Sequence, residues 1–228
     1  KKQERPARVN ESQAVATSRP AVSRRVNVLG TRDLASAVAR VGGRVVTAGE
    51  FLAEAAALAE RLPAQGRPVN MCGDRHLFAV GTVAALLRGQ MSLMPPNNMA
   101  GTLTELHRGD PGVYVIADAD DLDCAGLPTV FVRHLEGLAP LTVQPQVDAD
   151  QEAVCLLTSG STGAPQPHRK RWGALQTNAL GEAERLAAFM GWPSLQGLHI
   201  AATVPAQHSY GFESTVLLGL LAGAAFDA

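Results

Sequence analysis

The sequence predicts an α/β fold: a mostly parallel sheet flanked by helices. Three observations predict it. From Arg44 onward, short β-rich apolar runs alternate with segments of helical spacing, which implies parallel strands covered by helices on both faces. Capping residues and glycines punctuate those helices. A loop of glycine and hydroxyl residues, 158–163, leaves the end of one apolar strand, the place where ligands gather in such folds.

In order, Val45-Val46 reads as a short strand. Thr47 and Glu50 then have capping-box spacing, each able to satisfy a backbone donor of the other. Phe51, Ala55, Leu58 and Leu62 follow at helical steps. Residues 68–72 form a strand. Asp74 caps a helix carrying Leu77, Val80, Val83, Leu86 and Leu87, which Gly89 ends. Strands are predicted at 91–94, 112–116, 129–132 and 153–157. Leu175, Ala179, Ala183, Leu186 and Met190 mark a long amphipathic helix. Residues 198–204 read as a buried strand, 212–222 as an apolar helix, and 224–228 as the start of another strand. Trp172 and Trp192 read as packing residues flanking one helix.

Composition excludes several classes. The 228 residues are 46% hydrophobic and 18% charged, with a net charge of −1, so nothing argues for a nucleic-acid partner. The charge is uneven: residues 1–25 hold seven Lys/Arg against two Asp/Glu and show no apolar periodicity. Residues 1–30 therefore read as a basic, disordered head, and 31–228 as the folded part. Cys72, Cys124 and Cys155 stand far apart, which points to neither a zinc site nor a disulfide framework and suits a reducing cytoplasm. No secretory signal is visible, and the longest apolar run, 216–226, is too short to cross a bilayer. His76, His107, His134 and His199 are isolated in sequence, and Asp118, Asp120, Asp121 and Asp123 miss the calcium-loop spacing. No metal ligands are predicted from the chain itself.

The loop carries the chemistry. Gly160 and Gly163 lack Cβ, so the backbone can curl and approach a ligand closely. Its N–H groups then form an anion-binding concavity, to which Thr158, Ser159, Ser161 and Thr162 add hydroxyl donors. The loop lacks the Gly-Lys-Ser/Thr of a Walker motif and the G-x-G-x-x-G of a dinucleotide fold. The competing reading, a Ser/Gly linker, is opposed by the apolar strand before it and the Pro-x-Pro after it.

Thr-Ser-Gly-Ser-Thr-Gly-x-Pro, residues 158–165, resembles the signature loop of the adenylate-forming superfamily: acyl- and aryl-CoA synthetases, peptide-synthetase adenylation domains and luciferases. Residues 204–211, with His208, are similar to that family's Pro-x-x-His-x-x-Gly segment. Residues 217–224 and 88–97 resemble two weaker motifs, and the resemblance covers about residues 44–228. The Pro-Pro-Asn and Pro-Gln-Pro-His variants resemble a branch of acyl-acid AMP-ligases associated with lipid or aryl-polyene synthesis.

The resemblance implies ATP-dependent activation of a carboxylic acid, fatty or aryl, to an acyl-adenylate. Transfer to a thiol of CoA or an acyl carrier protein would follow, with ATP and Mg2+ as cofactors. It implies that the loop holds the β- and γ-phosphates and that His208 lines the acid pocket. The family's later motifs, including the ribose-binding Asp and the C-terminal catalytic Lys, do not occur, and both ends read as those of a fragment; by itself such a fragment is expected to be inactive. The alternative is a non-catalytic acyl- or carrier-binding module that retains the fold. Gln166 keeps it open, because the family usually has Lys there. Pro165 and Pro167 favour extended backbone, so Gln166, His168 and Lys170 share a face. Lys170 is then about 13 Å along at ~3.3 Å per residue. The expectation is a bend that returns His168 or Lys170 to the phosphates as the replacement cation; the alternative leaves both as surface groups.

Overall fold

A computed structural model describes residues 24–159 and 165–228. In chain order the elements begin with β1 (Arg25–Asn27), β2 (Ala37–Val41), β3 (Arg44–Thr47), α1 (Ala48–Ala59), β4 (Arg67–Asn70) and α2 (Arg75–Leu87). There follow β5 (Ser92–Met94), α3 (Ala100–Gly109), β6 (Val113–Ala117), β7 (Thr129–Phe131), β8 (Gln146–Asp148), β9 (Glu152–Ser159) and β10 (Pro165–Arg171). The chain continues through α4 (Trp172–Met190), β11 (His199–Ile200), α5 (Ser209–Gly211), a π-helical segment Phe212–Leu217, α6 (Leu218–Leu221) and β12 (Ala225–Asp227).

The described strands form three sheets. Six strands run in the order β10-β9-β5-β4-β6-β7, four in the order β11-β12-β2-β3, and β1 pairs with β8. In the six-stranded sheet every pairing is parallel except β9 with β10. The predicted α/β class holds, with parallel strands divided between two sheets rather than gathered in one. A single apolar core joins them: it takes Val38, Val46 and Phe226 from the smaller sheet, Ile116 and Val154 from the larger, and Phe51, Phe78 and Leu86 from α1 and α2. A second cluster, with Val69, Val115, Cys155 and Leu103 of α3, covers the opposite face of the six-stranded sheet.

The local signals act as expected at several ends. Thr47 Oγ1 accepts from the Glu50 backbone N–H and the Glu50 carboxylate accepts from the Thr47 N–H, completing the capping box. Asp74 Oδ1 accepts from the Leu77 N–H at 2.9 Å and starts α2. Gly89 ends it with φ of +75°, a left-handed conformation that favours glycine.

Three expectations are corrected, and one helix is added. The fold begins before residue 30: β1 pairs with β8, and Val28 and Leu29 are fully buried. The charge of residues 1–25 says nothing of Val26, Val28 and Leu29 just after them. The strand expected over 198–204 is limited to His199–Ile200. It is an edge strand, and the carbonyls of Ala202 and Val204 accept from the Arg75 guanidinium instead of from a neighbouring strand. Trp192 is 42% exposed, unlike the fully buried Trp172. Helix α3 went unpredicted because it buries only Leu103 and has no side-chain N-cap.

Candidate functional site

The site begins where β9 ends. Burial along this strand fades from Ala153, Val154 and Cys155 through half-buried Leu156 and Leu157 to exposed Thr158. The apolar part inserts β9 between β5 and β10, and the polar end reaches the carboxyl edge of the sheet. Thr158 and the backbone of Ser159 therefore stand at the carboxyl end of β9. Gly160, Ser161, Thr162 and Gly163 lie outside the described residues.

The register of β10 settles the arrangement after the loop. Gln166 lies opposite Thr158, His168 opposite Leu156, and Lys170 opposite Val154. Directly opposed residues project from the same face with Cβ atoms about 4.5–5.5 Å apart, so Gln166 stands beside Thr158. Lys170 does not. It is four residues back along β9, about 13 Å at ~3.3 Å per residue, and the only register irregularity falls after it, between Lys170 and Arg171. The expected bend is absent, because the β9–β10 pairing holds the run straight. His168 is the nearer of the two, one same-face step from Gln166. Arg169 points to the other face and pairs with Glu152 at 3.1 Å.

His208 is exposed at the N-terminal boundary of α5, and its backbone N–H donates to the Pro205 carbonyl at 3.2 Å. Gly211 closes this turn. A Cβ there would lie 2.2 Å from the Pro205 oxygen, so only glycine fits without a shift of backbone. Arg75, at the start of α2, donates to the carbonyls of Ala202, Val204 and Asp227. It thereby fastens the carboxyl ends of β11 and β12 to the carboxyl end of β4. Sequence reasoning missed Arg75, because its partners lie more than a hundred positions away.

A further group at the same sheet edge also escaped the sequence reading. His76 and His134, isolated in sequence, have stacked rings 5.4 Å apart. His76 Nε2 contacts Glu54 Oε2 at 3.0 Å and His134 Nε2 contacts Asp74 Oδ2 at 3.1 Å. The acidic turn serves the fold: Asp118 accepts from the Asp74 backbone N–H and Asp120 pairs with Arg133.

Two of the three thiols, Cys72 and Cys155, are buried. Burial pushes Cys72 up, reinforced by the negative charges of Asp118 and Asp74. Burial likewise raises Cys155. A raised thiol pKa favours the neutral form in the fold; that contribution is complete below the unfolded thiol pKa of about 8.5 and is lost as pH rises above it. Iodoacetamide at pH 8 should label the half-buried Cys124 first, with Cys72 and Cys155 labelled only after denaturation. Mass spectrometry checks this, and fast labelling of Cys72 in the folded protein would contradict the burial account.

A cavity of about 590 Å³ lies toward the carboxyl end of α4, lined by Arg32, Leu180, Glu184, Trp192 and Leu195 among others. It contains none of the residues predicted to bind ligand.

No protein-family model matches the chain. A 4-coumarate–CoA ligase of Halorhodospira halophila is 39% identical over 89 residues, 38% of this chain and 20% of the ligase. The fold is that of the acid–CoA ligases. O-succinylbenzoate-CoA synthetase (MenE) of Bacillus subtilis, solved with ATP and magnesium ion, superposes with a TM-score of 0.63 at 16% identity, over 85% of this chain and 53% of that one. ATP-bound MatB of Rhodopseudomonas palustris gives 0.65 at 16% identity over 89% and 45%, and a malonyl-CoA ligase product complex with methylmalonyl-CoA and AMP gives 0.64 at 24% over 85% and 41%. These proteins have the fold that the resemblance drawn from the sequence implies. The chain spans about half or less of the length of each of these proteins.

Proposed function

We propose that the protein takes part in ATP-dependent activation of a carboxylic acid to an acyl-adenylate, followed by transfer to a thiol of CoA or a carrier protein. One observation carries this reading: the hydroxyl- and glycine-rich loop leaves β9 at the carboxyl edge of a parallel sheet, within a fold shared with CoA ligases. The acid is of the fatty or aryl class, and the setting is the cytoplasm. Among the described residues no helix is long and apolar enough to cross a membrane.

The donor set fits a nucleotide polyphosphate. Thr158 presents an exposed hydroxyl at the strand end, and the loop adds Ser159, Ser161 and Thr162 with the backbone N–H groups of Gly160 and Gly163. These are hard oxygen ligands and anion-binding donors, the kind that Mg2+ and phosphate share. Mg2+, when bound, neutralises phosphate charge. The chain's own part is positioning: hydroxyls orient the phosphates, Gln166 donates amide hydrogen bonds beside Thr158, and His208 lines the acid pocket. His168 is the nearest replacement for the missing cation. Attack of the acid's carboxylate on the α-phosphorus then depends on alignment and charge stabilisation rather than covalent work by the protein.

Thr158→Ala and Thr162→Ala should each remove a hydrogen bond to a charged group, about 1.5–3 kcal/mol, or roughly 10- to 150-fold in ATP affinity. Thermal stability should barely change for Thr158, which is exposed. His208→Ala should raise the Michaelis constant for the acid while ATP affinity is kept. Acid-dependent ATP–pyrophosphate exchange and nucleotide titration of the full-length protein read both. Unchanged ATP affinity in both threonine variants would overturn the phosphate assignment. Wild-type ATP affinity without any exchange activity in the full-length protein would favour the binding-module alternative.

A further inference from the structure

We propose that Glu54, His76 and His134 form a binding site for one divalent transition-metal ion of the zinc class, with Asp74 as the outer partner of His134. The site does not depend on the proposed ligase activity. Its three residues come from α1, α2 and the segment just after β7, so it would tie three elements together at one sheet edge.

Two independent observations point to a cation. The first is convergence: one ligand atom from each of Glu54, His76 and His134 lies within 4.8 Å of the other two. Two imidazoles and a carboxylate suit zinc among the divalent ions, whereas magnesium and calcium prefer all-oxygen sets. The second is a buried pair. His76 is 0% exposed and Glu54 is 3% exposed, and Nε2 of His76 lies 3.0 Å from Oε2 of Glu54, a spacing that two ligands of one ion can share. With the proton between them released, both turn a lone pair to the ion, and neutral imidazole is a common metal ligand.

The carboxylates are disposed accordingly. Metal-bound histidines usually hold their second ring nitrogen against a carboxylate, which fixes tautomer and orientation. Asp74 Oδ2 is placed that way on Nε2 of His134. Glu54 is 3% exposed and faces Nε2 of His76, so it serves the ion directly. Around the cluster, Glu50, Glu136 and Arg44 line an adjoining cavity of about 260 Å³ that Glu54 also faces, and Arg44 is paired with Glu50 at 3.1 Å. The balance of charge at the site is negative.

One adjustment is required. The two rings are 21° from parallel, and nearly parallel imidazoles do not aim both lone pairs at one point. His134 is the member able to turn, because its side chain is 40% exposed while that of His76 is 0% exposed. Binding should therefore reorient His134 and leave His76 in place. A fourth position would be left for water.

The test is calorimetric titration of chelator-treated protein with Zn2+, with Co2+ absorption as a second readout. One equivalent should bind, Co2+ should show the absorption of a tetrahedral site, and the melting temperature should rise with Zn2+ concentration. His134→Ala, a change at a part-exposed side chain, should weaken Zn2+ binding at least tenfold with the metal-free melting temperature kept. Asp74→Asn, which still caps α2, should weaken it about 10- to 100-fold. His199→Ala, at a distant half-exposed histidine, should leave it unchanged. Absence of stoichiometric binding, or binding that survives His134→Ala, would overturn the site. Unchanged ATP affinity in the loop variants with Zn2+ binding intact would leave it standing while removing the phosphate assignment.

Discussion

Trp172→Ala should lower the unfolding free energy by about 3–5 kcal/mol, the range for deleting a large aromatic from a core. Trp172 is fully buried, and its Nε1 donates to the Val28 carbonyl at 3.2 Å. The residue begins α4 directly after β10, so its ring joins the β9–β10 ladder to the segment after β1. Removing it opens a cavity and leaves the Val28 carbonyl to the longer 3.3 Å bond from Gln176 Nε2. At about 2–4 °C per kcal/mol for a chain of this size, the melting temperature should fall by roughly 6–20 °C. Trp172→Phe should recover most of the packing and lose only the hydrogen bond, about 1 kcal/mol. Thermal denaturation of the two variants checks this, and equal losses would mean that the hydrogen bond, not the volume, matters.

Phe212→Ala should be of similar size and should also reach the candidate acid pocket. Phe212 is 1% exposed and meets Phe78 of α2 edge to face, with ring centroids 6.4 Å apart. Its loss removes core volume worth about 3–5 kcal/mol, including an aromatic pair worth about 0.5–1.5 kcal/mol. Phe212 follows Gly211 in the turn that carries His208, and its backbone N–H donates to the His208 carbonyl at 2.8 Å. The Michaelis constant for the acid should therefore rise along with the fall in melting temperature, whereas ATP affinity should hold in the fraction that stays folded. Trp172→Ala serves as the comparison: destabilised to a similar degree, it should leave the acid's Michaelis constant nearer wild type.

Local chemistry and period were enough for much of the fold. The Thr47/Glu50 box, the Asp74 cap and the stop at Gly89 are determined by side chains within four residues of the backbone groups they serve. Each appears where the sequence places it. The same is true of the apolar strand that ends at Thr158, because a fully apolar run between a polar turn and a glycine loop has few other uses. Short or sparse elements were not legible. β8 is three residues long and α3 buries one leucine, so neither carries a period that stands out from loop sequence.

What the sequence by itself determined is the α/β class and the order of its main strands and helices. Both depend on neighbours along the chain. Tertiary structure decided what depends on neighbours across it. Lys170 is kept from the loop by the antiparallel register of β10 on β9, which no local preference specifies. Arg75 finds its carbonyls, and His76 finds Glu54 and His134, only because the parallel strands bring distant segments to one edge. Strand pairing and burial are cooperative, long-range choices, and the residues they gather at a sheet edge leave no spacing in the sequence to read.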